Sequence, residues 1–427
     1  MKQTAPKLIS ILLLFLLCWT LCVNVSFASY WPDPGPDLPR IYIQSNGNVQ
    51  PETSLLEKTG NVYKLTGDIV HYTIEIQCDN IVLDGAGYTI YGDAERIKGY
   101  DDGNNGIIVD GQKNLTIKNI NFEHGDTGIR VSNSSNLTIV GNSFSNKIST
   151  GINLQTSTQS LLENNTFTAA VLISGSKITF QNNTISGPED SVSSSGIKIM
   201  GSLNTITNNT LACILPMELQ DANLNTVSLN TITGPPTSDG RDTLEGGEGI
   251  ALFRNCYNNI FFGNNITGFY AQAIRTVFSN SNNTFYGNYI SDTPVAVTLQ
   301  DGAVNNTFYG NFFASDSCTV RIDEGVEGIS WDNGTIGNYW GDYTGTDNNQ
   351  DGIGDSPYFI TAVTWDNDVG GDVTFVGGQD NHPIINPIDI NDISQFPSWT
   401  PVLIMLVAFL IVAVIYKQKL HSTHSRV

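Results

Sequence analysis

The stretch Asn305 to Phe313, Asn-Asn-Thr-Phe-Tyr-Gly-Asn-Phe-Phe, returns almost word for word at Asn282 to Ile290, and looser copies precede both. Its core is Asn followed two residues later by an aromatic or aliphatic side chain. That unit begins at Asn142, Asn165, Asn183, Asn209, Asn230, Asn264, Asn288 and Asn311, and again at Asn338 in Asn338-Tyr339-Trp340. Between copies lie short strand-like runs that open on Gly or Ala, such as Gly128-Ile129-Arg130-Val131, Gly196-Ile197-Lys198-Ile199 and Ala296-Val297-Thr298-Leu299. Counted from Gly106, these runs recur in steps of 22, 23, 19, 26, 20, 33, 24, 23 and 23 residues. One copy is too short to bury its own apolar residues, so a repeat of this period with β-branched strands predicts stacked coils, each burying the next.

Alternation assigns sides within a coil, because successive strand side chains change face. Ile129 and Val131 point inward and Arg130 outward; Leu137 and Ile139 point inward. About ten or eleven coils at a spacing of roughly 4.8 Å make a column on the order of 50 Å long. The nine asparagines suit a corner, since Asn tolerates left-handed backbone, and its amide both donates and accepts. In register they form a structural ladder. Residues 41–90 show weaker periodicity and read as an N-terminal cap with the first coil; 91–340 read as the β-helix and 341–385 as the C-terminal cap.

The two ends read differently. Residues 1–28 carry Lys2 and Lys7, an apolar run and small residues before Ser29, the order of a secretory signal. Pro32, Pro34, Pro36 and Pro39 make 29–40 a linker. After a second linker at 386–398, residues 399–416 form an almost uncharged apolar segment long enough for a transmembrane helix. Lys417, Lys419 and Arg426 follow it, which places 417–427 in the cytoplasm and the bulk of the chain outside the cell.

Between Ser29 and Thr400 the chain has 41 acidic and 15 basic residues, a balance of −26. That excludes nucleic acid or anionic lipid as partners through bulk attraction. Cys18 and Cys22 fall in the signal. Cys78, Cys213, Cys256 and Cys318 lack metal-binding spacing and read as buried thiols, with one or two disulfides as the other choice for an exported chain.

The coils, the opening Asp79-Asn80-Ile81-Val82-Leu83-Asp84-Gly85-Ala86-Gly87-Tyr88-Thr89-Ile90, the block Gly337-Asn338-Tyr339-Trp340-Gly341-Asp342-Tyr343, and Asp351-Gly352-Ile353-Gly354-Asp355-Ser356-Pro357-Tyr358 with Asp380-Asn381-His382-Pro383 resemble the NosD-type right-handed parallel β-helix family. That family lies within the pectate-lyase-like group of carbohydrate-binding proteins and sugar hydrolases, and has surface-anchored archaeal members. The resemblance covers about residues 41 to 385. It implies an all-β fold, a right-handed single-stranded parallel β-helix, here with one C-terminal transmembrane helix. It also implies copper supply to a reductase, an accessory role for a metalloenzyme. Soft copper sites need clustered His, Met and Cys, whereas His71, His124 and His382 lie far apart along the coils.

Two features offer chemistry. Asp347, Asn349, Asp351, the Ile353 carbonyl and Asp355, with Gly352 at the turn, follow the first part of a Ca2+ loop; Asp342 could complete the shell, and Tyr358 stands where a bidentate Glu belongs. The alternative is an acidic Gly-rich turn with no ion. The outward column Ile108, Arg130, Asn153, Leu172, Lys198, Glu218, Ala251, Arg275, Thr298 and Arg321 makes a candidate glycan-binding strip through Arg130, Asn153, Lys198, Glu218, Arg275 and Arg321. Flanking it are Asp101-Asp102, Glu123-His124-Gly125-Asp126, Pro188-Glu189-Asp190, the insertion from Gly234 to Glu248, and the aromatics Phe253 and Phe278. The plain alternative is a solvated face whose cations offset neighbouring acids.

Beyond the signal, ten Asn-x-Thr/Ser acceptors, at Asn114, Asn133, Asn136, Asn164, Asn182, Asn208, Asn265, Asn282, Asn305 and Asn333, would carry glycans in a host that modifies exported proteins. They are equally what a solenoid corner favours. For catalysis, Arg275, Asp301, Arg321 and Asp323 could gather on neighbouring coils, but the paired-Asp and Gly-His-Gly words of polygalacturonases are missing. The expectation is therefore a non-catalytic surface β-helix that binds polysaccharide or cell-envelope material. A polysaccharide lyase or hydrolase is the alternative.

Overall fold

Three short strands build each coil, where the sequence suggested one strand and one turn unit. Thr138–Val140 and Ser143–Phe144 flank Gly141-Asn142, so the supposed turn is two strands and a two-residue corner. The computed structural model describes residues 38–93, 104–187, 195–234, 247–314, 319–366 and 371–386. These form one fifteen-stranded and two twelve-stranded sheets, wound as an all-β right-handed parallel β-helix of about eleven turns. The first sheet holds the long strands such as Gly125–Ser132 and Ile148–Thr158; the second holds Thr138–Val140 and its equivalents, and the third Ser143–Phe144 and its equivalents.

The second-to-third corner divides two tasks that the sequence reading gave to one asparagine. Left-handed backbone falls on the residue before every ladder Asn from Asn142 to Asn311: Gly141, Asn164, Asn182, Asn208 and Leu229, then Gly263, Gly287 and Gly310, with φ between 53° and 64°. The ladder residue itself turns inward and is buried. Asn264 is representative: its Oδ1 accepts Asn230 N–H at 3.1 Å and Asn230 Nδ2 at 2.9 Å, and its Nδ2 donates to Asn288 Oδ1 at 2.9 Å and Val227 O at 3.0 Å. The same pairing runs from Asn142 through Asn165, Asn183, Asn209, Asn230, Asn264, Asn288 and Asn311 to Asn338. A corner breaks the strand ladder, so the amide supplies partners that backbone groups would otherwise lack.

A second column was not foreseen. Asn204, Asn225, Asn259, Asn283 and Asn306 occupy the first-to-second corner, and each backbone N–H from Asn204 to Asn283 donates to the next residue's Oδ1. Every member stands five residues before a rung of the first ladder, with one strand of the second sheet between them. That constant spacing was the available signal.

Glycine stands within several first-sheet strands where aromatic rings need the space. Phe122, Phe144 and Phe167 stack inside the column with centroids 4.7 Å apart. A Cβ on Gly128 would stand 2.7 Å from the Phe144 ring, and one on Gly151 2.7 Å from Phe167. Along each strand the inward aliphatic residues pile into one core, including Ile129, Ile152, Val171, Ile197 and Ile250. Each such side chain contributes about 1.5–3 kcal/mol on burial.

Both ends are closed by antiparallel strands. At the first end Arg40–Ile43 pairs with Val49–Gln50, and Leu56–Thr59 with Val62–Leu65. At the last, Tyr339–Trp340 pairs with Phe312–Phe313 as a further rung, and the hairpin Tyr358–Asp366 and Gly371–Asp380 extends the first sheet. Cys78, Cys213 and Cys256 are free and buried. Burial pushes the thiols of Cys213 and Cys256 up to about 12. Residues 1–28, most of 29–40, Asp101-Asp102, Pro188 to Asp190, 235–246, Cys318, the linker beyond residue 386, 399–416 and 417–427 lie outside the described residues. Among the described residues no helix is long and apolar enough to cross a membrane.

Candidate binding face on the first sheet

The outward column of the first sheet is in register from end to end. Glu75, Ile108, Arg130, Asn153, Leu172, Lys198, Glu218, Ala251, Arg275, Thr298, Arg321 and Val363 are successive partners. Two members do not face solvent: Ala251 and Thr298 are fully buried. Arg275 reaches back across its coil to Glu248, and Gln272 Oε1 accepts the Thr298 hydroxyl at 2.6 Å, so longer neighbours cover these small side chains.

Several cations on the face already have acidic partners. Lys198 Nζ lies 2.6 Å from Glu218 Oε1, Arg275 Nη1 2.5 Å from Glu248 Oε1, and Arg321 Nη2 2.9 Å from both oxygens of Asp372. Near Arg130, hydrogen bonds from Ser132 and Asn133 hold the Asp110 carboxyl below the usual range, and the Arg130 charge acts in the same direction.

One part of the face is a continuous network. Glu248 is only 6 % exposed, and its Oε1 accepts from Arg275 and, at 2.9 Å, from Gln272. Arg275 Nε donates to Gln300 Oε1 at 3.0 Å; Gln300 Nε2 donates to Asp323 Oδ2 at 2.7 Å; Thr364 Oγ1 donates to Asp323 Oδ1 at 3.2 Å. The chain crosses the strands from Glu248–Leu252 to Tyr358–Asp366. The expected grouping of Arg275, Asp301, Arg321 and Asp323 is not what forms. Arg321 pairs with the terminal hairpin, and Asp301 sits exposed in a left-handed corner at φ 47°. Gln272, Gln300, Thr364 and Asp372 were missed because an uncharged amide or a residue fifty positions away gives no local signal.

The flanking features also differ from expectation. Glu123-His124-Gly125-Asp126 is no raised loop: Asn121–Glu123 and Gly125–Ser132 are strands, and His124 alone turns the corner at φ 60°. Glu248 begins a strand instead of ending a loop. Phe253 is half-buried, while Phe278 is 55 % exposed with φ 62°, an uncommon backbone state for an aromatic residue.

At the acidic loop, Asp347 accepts the N–H groups of Asp351 and Gly352, Asp351 accepts Ile353 N–H, and Asn349 Nδ2 donates to Asp351. Asp355 instead accepts Asn348 N–H at 2.8 Å, and the Asp342 carboxylate receives the Tyr358 hydroxyl at 2.8 Å. The donors are oxygens on one tight turn, as a hard cation prefers. Among the described residues, three or more acidic side chains do not converge on one point.

Comparison with known proteins places the coils. A family profile described as "Right handed beta helix region" matches residues 79–211 and 168–336. No curated protein sequence matches the chain. Among solved structures, DFA-IIIase from Arthrobacter chlorophenolicus A6 in complex with GF2 is similar at 13% identity and TM-score 0.43, covering 62% of this chain and 70% of that one. The same enzyme without its lid aligns at 16% identity and TM-score 0.41, covering 64% and 69%. A tailspike protein mutant of E. coli bacteriophage HK620 in complex with a pentasaccharide gives 11% identity and TM-score 0.42, covering 63% and 66%. Since the profile spans residues 79 to 336 and the coils themselves are parallel and right-handed, this chain belongs to the right-handed beta helix family.

Proposed function

We propose that this protein is a cell-surface β-helix whose first sheet binds an extended polysaccharide or cell-envelope glycan without cutting it. The observation that carries the reading is the network Glu248–Arg275–Gln300–Asp323–Thr364. Side chains locked to one another lose little further freedom when a ligand arrives, so the face is pre-organised. It offers donors and acceptors in alternation along the helix axis, which suits a polymer of hydroxyl groups. Its cations are neutralised within the face, so retention should depend little on salt.

In this reading the apolar residues 399–416 anchor the chain, with the basic tail inside. The resemblance to the NosD type rests on the coils, the opening Asp79 to Ile90 and the tail block, whose Asn338 and Trp340 both bond to Asp380. Ca2+ is proposed at Asp347, Asn349, Asp351, Ile353 and Asp355.

The test is retention of the full-length chain, purified in detergent, on a panel of immobilised neutral and acidic polysaccharides. Retention without new reducing ends or unsaturated products is the expected result. Gln300→Ala should weaken it about tenfold, the effect of roughly 1.4 kcal/mol. Failure to be retained on any polysaccharide overturns the proposal, and product formation would replace it with a lyase or hydrolase.

A further inference from the structure

Beyond residue 28 the chain has ten Asn-x-Thr/Ser sites, and the fold builds nine of them into its corners and strands. Asn114, Asn133, Asn136, Asn164, Asn182, Asn208, Asn282 and Asn305 stand in left-handed corners, and Asn265 lies within the strand Asn265–Thr267. In Asn164-Asn165-Thr166, Asn182-Asn183-Thr184 and Asn208-Asn209-Thr210, the central residue is a buried ladder rung and the threonine begins a strand. Several of these amides are already engaged: Asn114 Nδ2 donates to Asn80, Asn136 Nδ2 to Asn114, Asn133 Nδ2 to Asp110 and Asn182 Nδ2 to Glu163. A modifying enzyme could bend such a site into its own cleft only by pulling a strand from its sheet.

Asn333-Gly334-Thr335 differs in its backbone setting and in the bonding of its asparagine oxygen. It lies outside the strands, in the loop between Trp331 and Tyr339–Trp340, and Asn333, Gly334, Thr335 and Ile336 are all exposed. Asn333 Oδ1 accepts Thr335 N–H at 3.0 Å, Thr335 Oγ1 at 2.9 Å and Ile336 N–H at 2.9 Å. The oxygen is thereby engaged within the loop, and among the described residues Nδ2 has no partner. The loop is fixed at its base, where Asp332 accepts Gly334 N–H at 2.8 Å and both N–H donors of Asn381. Here alone the site's own threonine hydroxyl bonds to its asparagine, and glycine at the middle, φ 88°, permits the bend.

We propose that Asn333 is the N-glycosylation acceptor of the folded chain, taking an oligosaccharide from a polyprenyl-phosphate-linked donor. The transfer forms an Nδ2–C1 bond, breaks the C1–O bond so that its electron pair leaves on the lipid phosphate, and passes one Nδ2 proton to a base on the transferase. The proposal rests on the chain being exported and is independent of the first-sheet face.

The experiment uses full-length folded protein, a purified oligosaccharyltransferase and a lipid-linked oligosaccharide, with a control acceptor peptide glycosylated in the same tube. Glycopeptides are then mapped by mass spectrometry. Occupancy is expected at Asn333, lost in Asn333→Gln and Thr335→Val, and kept in Thr335→Ser, with unchanged melting temperatures. Absence of sugar at Asn333, or equal occupancy at Asn114, Asn164 and Asn282, overturns the inference. Polysaccharide retention is measured separately, so either reading can fail alone.

Discussion

Asp380 Oδ2 accepts the backbone N–H of Asn338 at 2.6 Å, so a buried carboxylate ends a column of nine asparagine amides. The same carboxyl receives Trp340 Nε1 at 2.9 Å and, on Oδ1, His382 N–H at 3.0 Å. It ties the last coil to the segment after the terminal hairpin.

Burial raises the Asp380 pKa, with the nearby Asp332 charge acting the same way, and outweighs the hydrogen bonds from Asn338, Trp340 and His382 that lower it. A carboxyl raised in the folded state holds its proton longer there than in the unfolded chain. Its contribution is therefore present below the ordinary carboxyl range and lost as pH rises through the raised value. Asp380→Asn should remove that pH dependence and turn an amide N–H toward existing donors, at about 1–3 kcal/mol. Thermal melts of both proteins across acid and neutral pH provide the comparison; parallel curves would contradict it.

Asn264→Ala should be among the most damaging single changes. It leaves the N–H and Nδ2 of Asn230 and the oxygen of Val227 without their partner, and takes a donor from Asn288. Each unsatisfied buried group costs about 1–3 kcal/mol, so a loss of several kcal/mol is expected in denaturant unfolding. Thr231→Ala, at an exposed neighbouring position, is the control and should change little.

The thiols give an alkaline signature. With Cys213 and Cys256 pushed up to about 12 by burial, both should resist alkylation in the folded protein at mildly alkaline pH and react on unfolding. Stability from these groups is complete below the ordinary thiol value of 9.0 and is lost as pH climbs toward 12. Rapid native labelling of either residue would contradict the burial.

Calcium is tested by melting the protein with and without chelator. Ca2+ that binds only the folded loop raises the melting temperature with the logarithm of its ratio to Kd. Asp351→Ala should abolish the difference. A melt unchanged by chelator and by the substitution would remove the ion from the proposal.

Much of this architecture could be read from residues alone, because a repeat must satisfy the same constraints in every coil. Ile129 and Val131 inward, Arg130 outward and Asn338 on the column of Asn311 follow from period and alternation, which are local properties. The second Asn column was equally local, yet its amides hid among the many other asparagines of the corners.

What the chain order could not convey was which side chains meet across coils. Arg275 bonds Glu248 and Gln300, at separations of 27 and 25 residues, and Arg321 bonds Asp372 across 51. Coil lengths set those separations, and insertions such as the one before Glu248 change them without altering the strands. The sequence by itself determined the coil, its faces and its core, because hydrophobic period and backbone hydrogen bonding act over a few residues. Only the tertiary structure decided which charges on the first sheet are paired and which Asn-x-Thr site lies outside the strands, because those depend on distances between coils that the chain reaches from far apart.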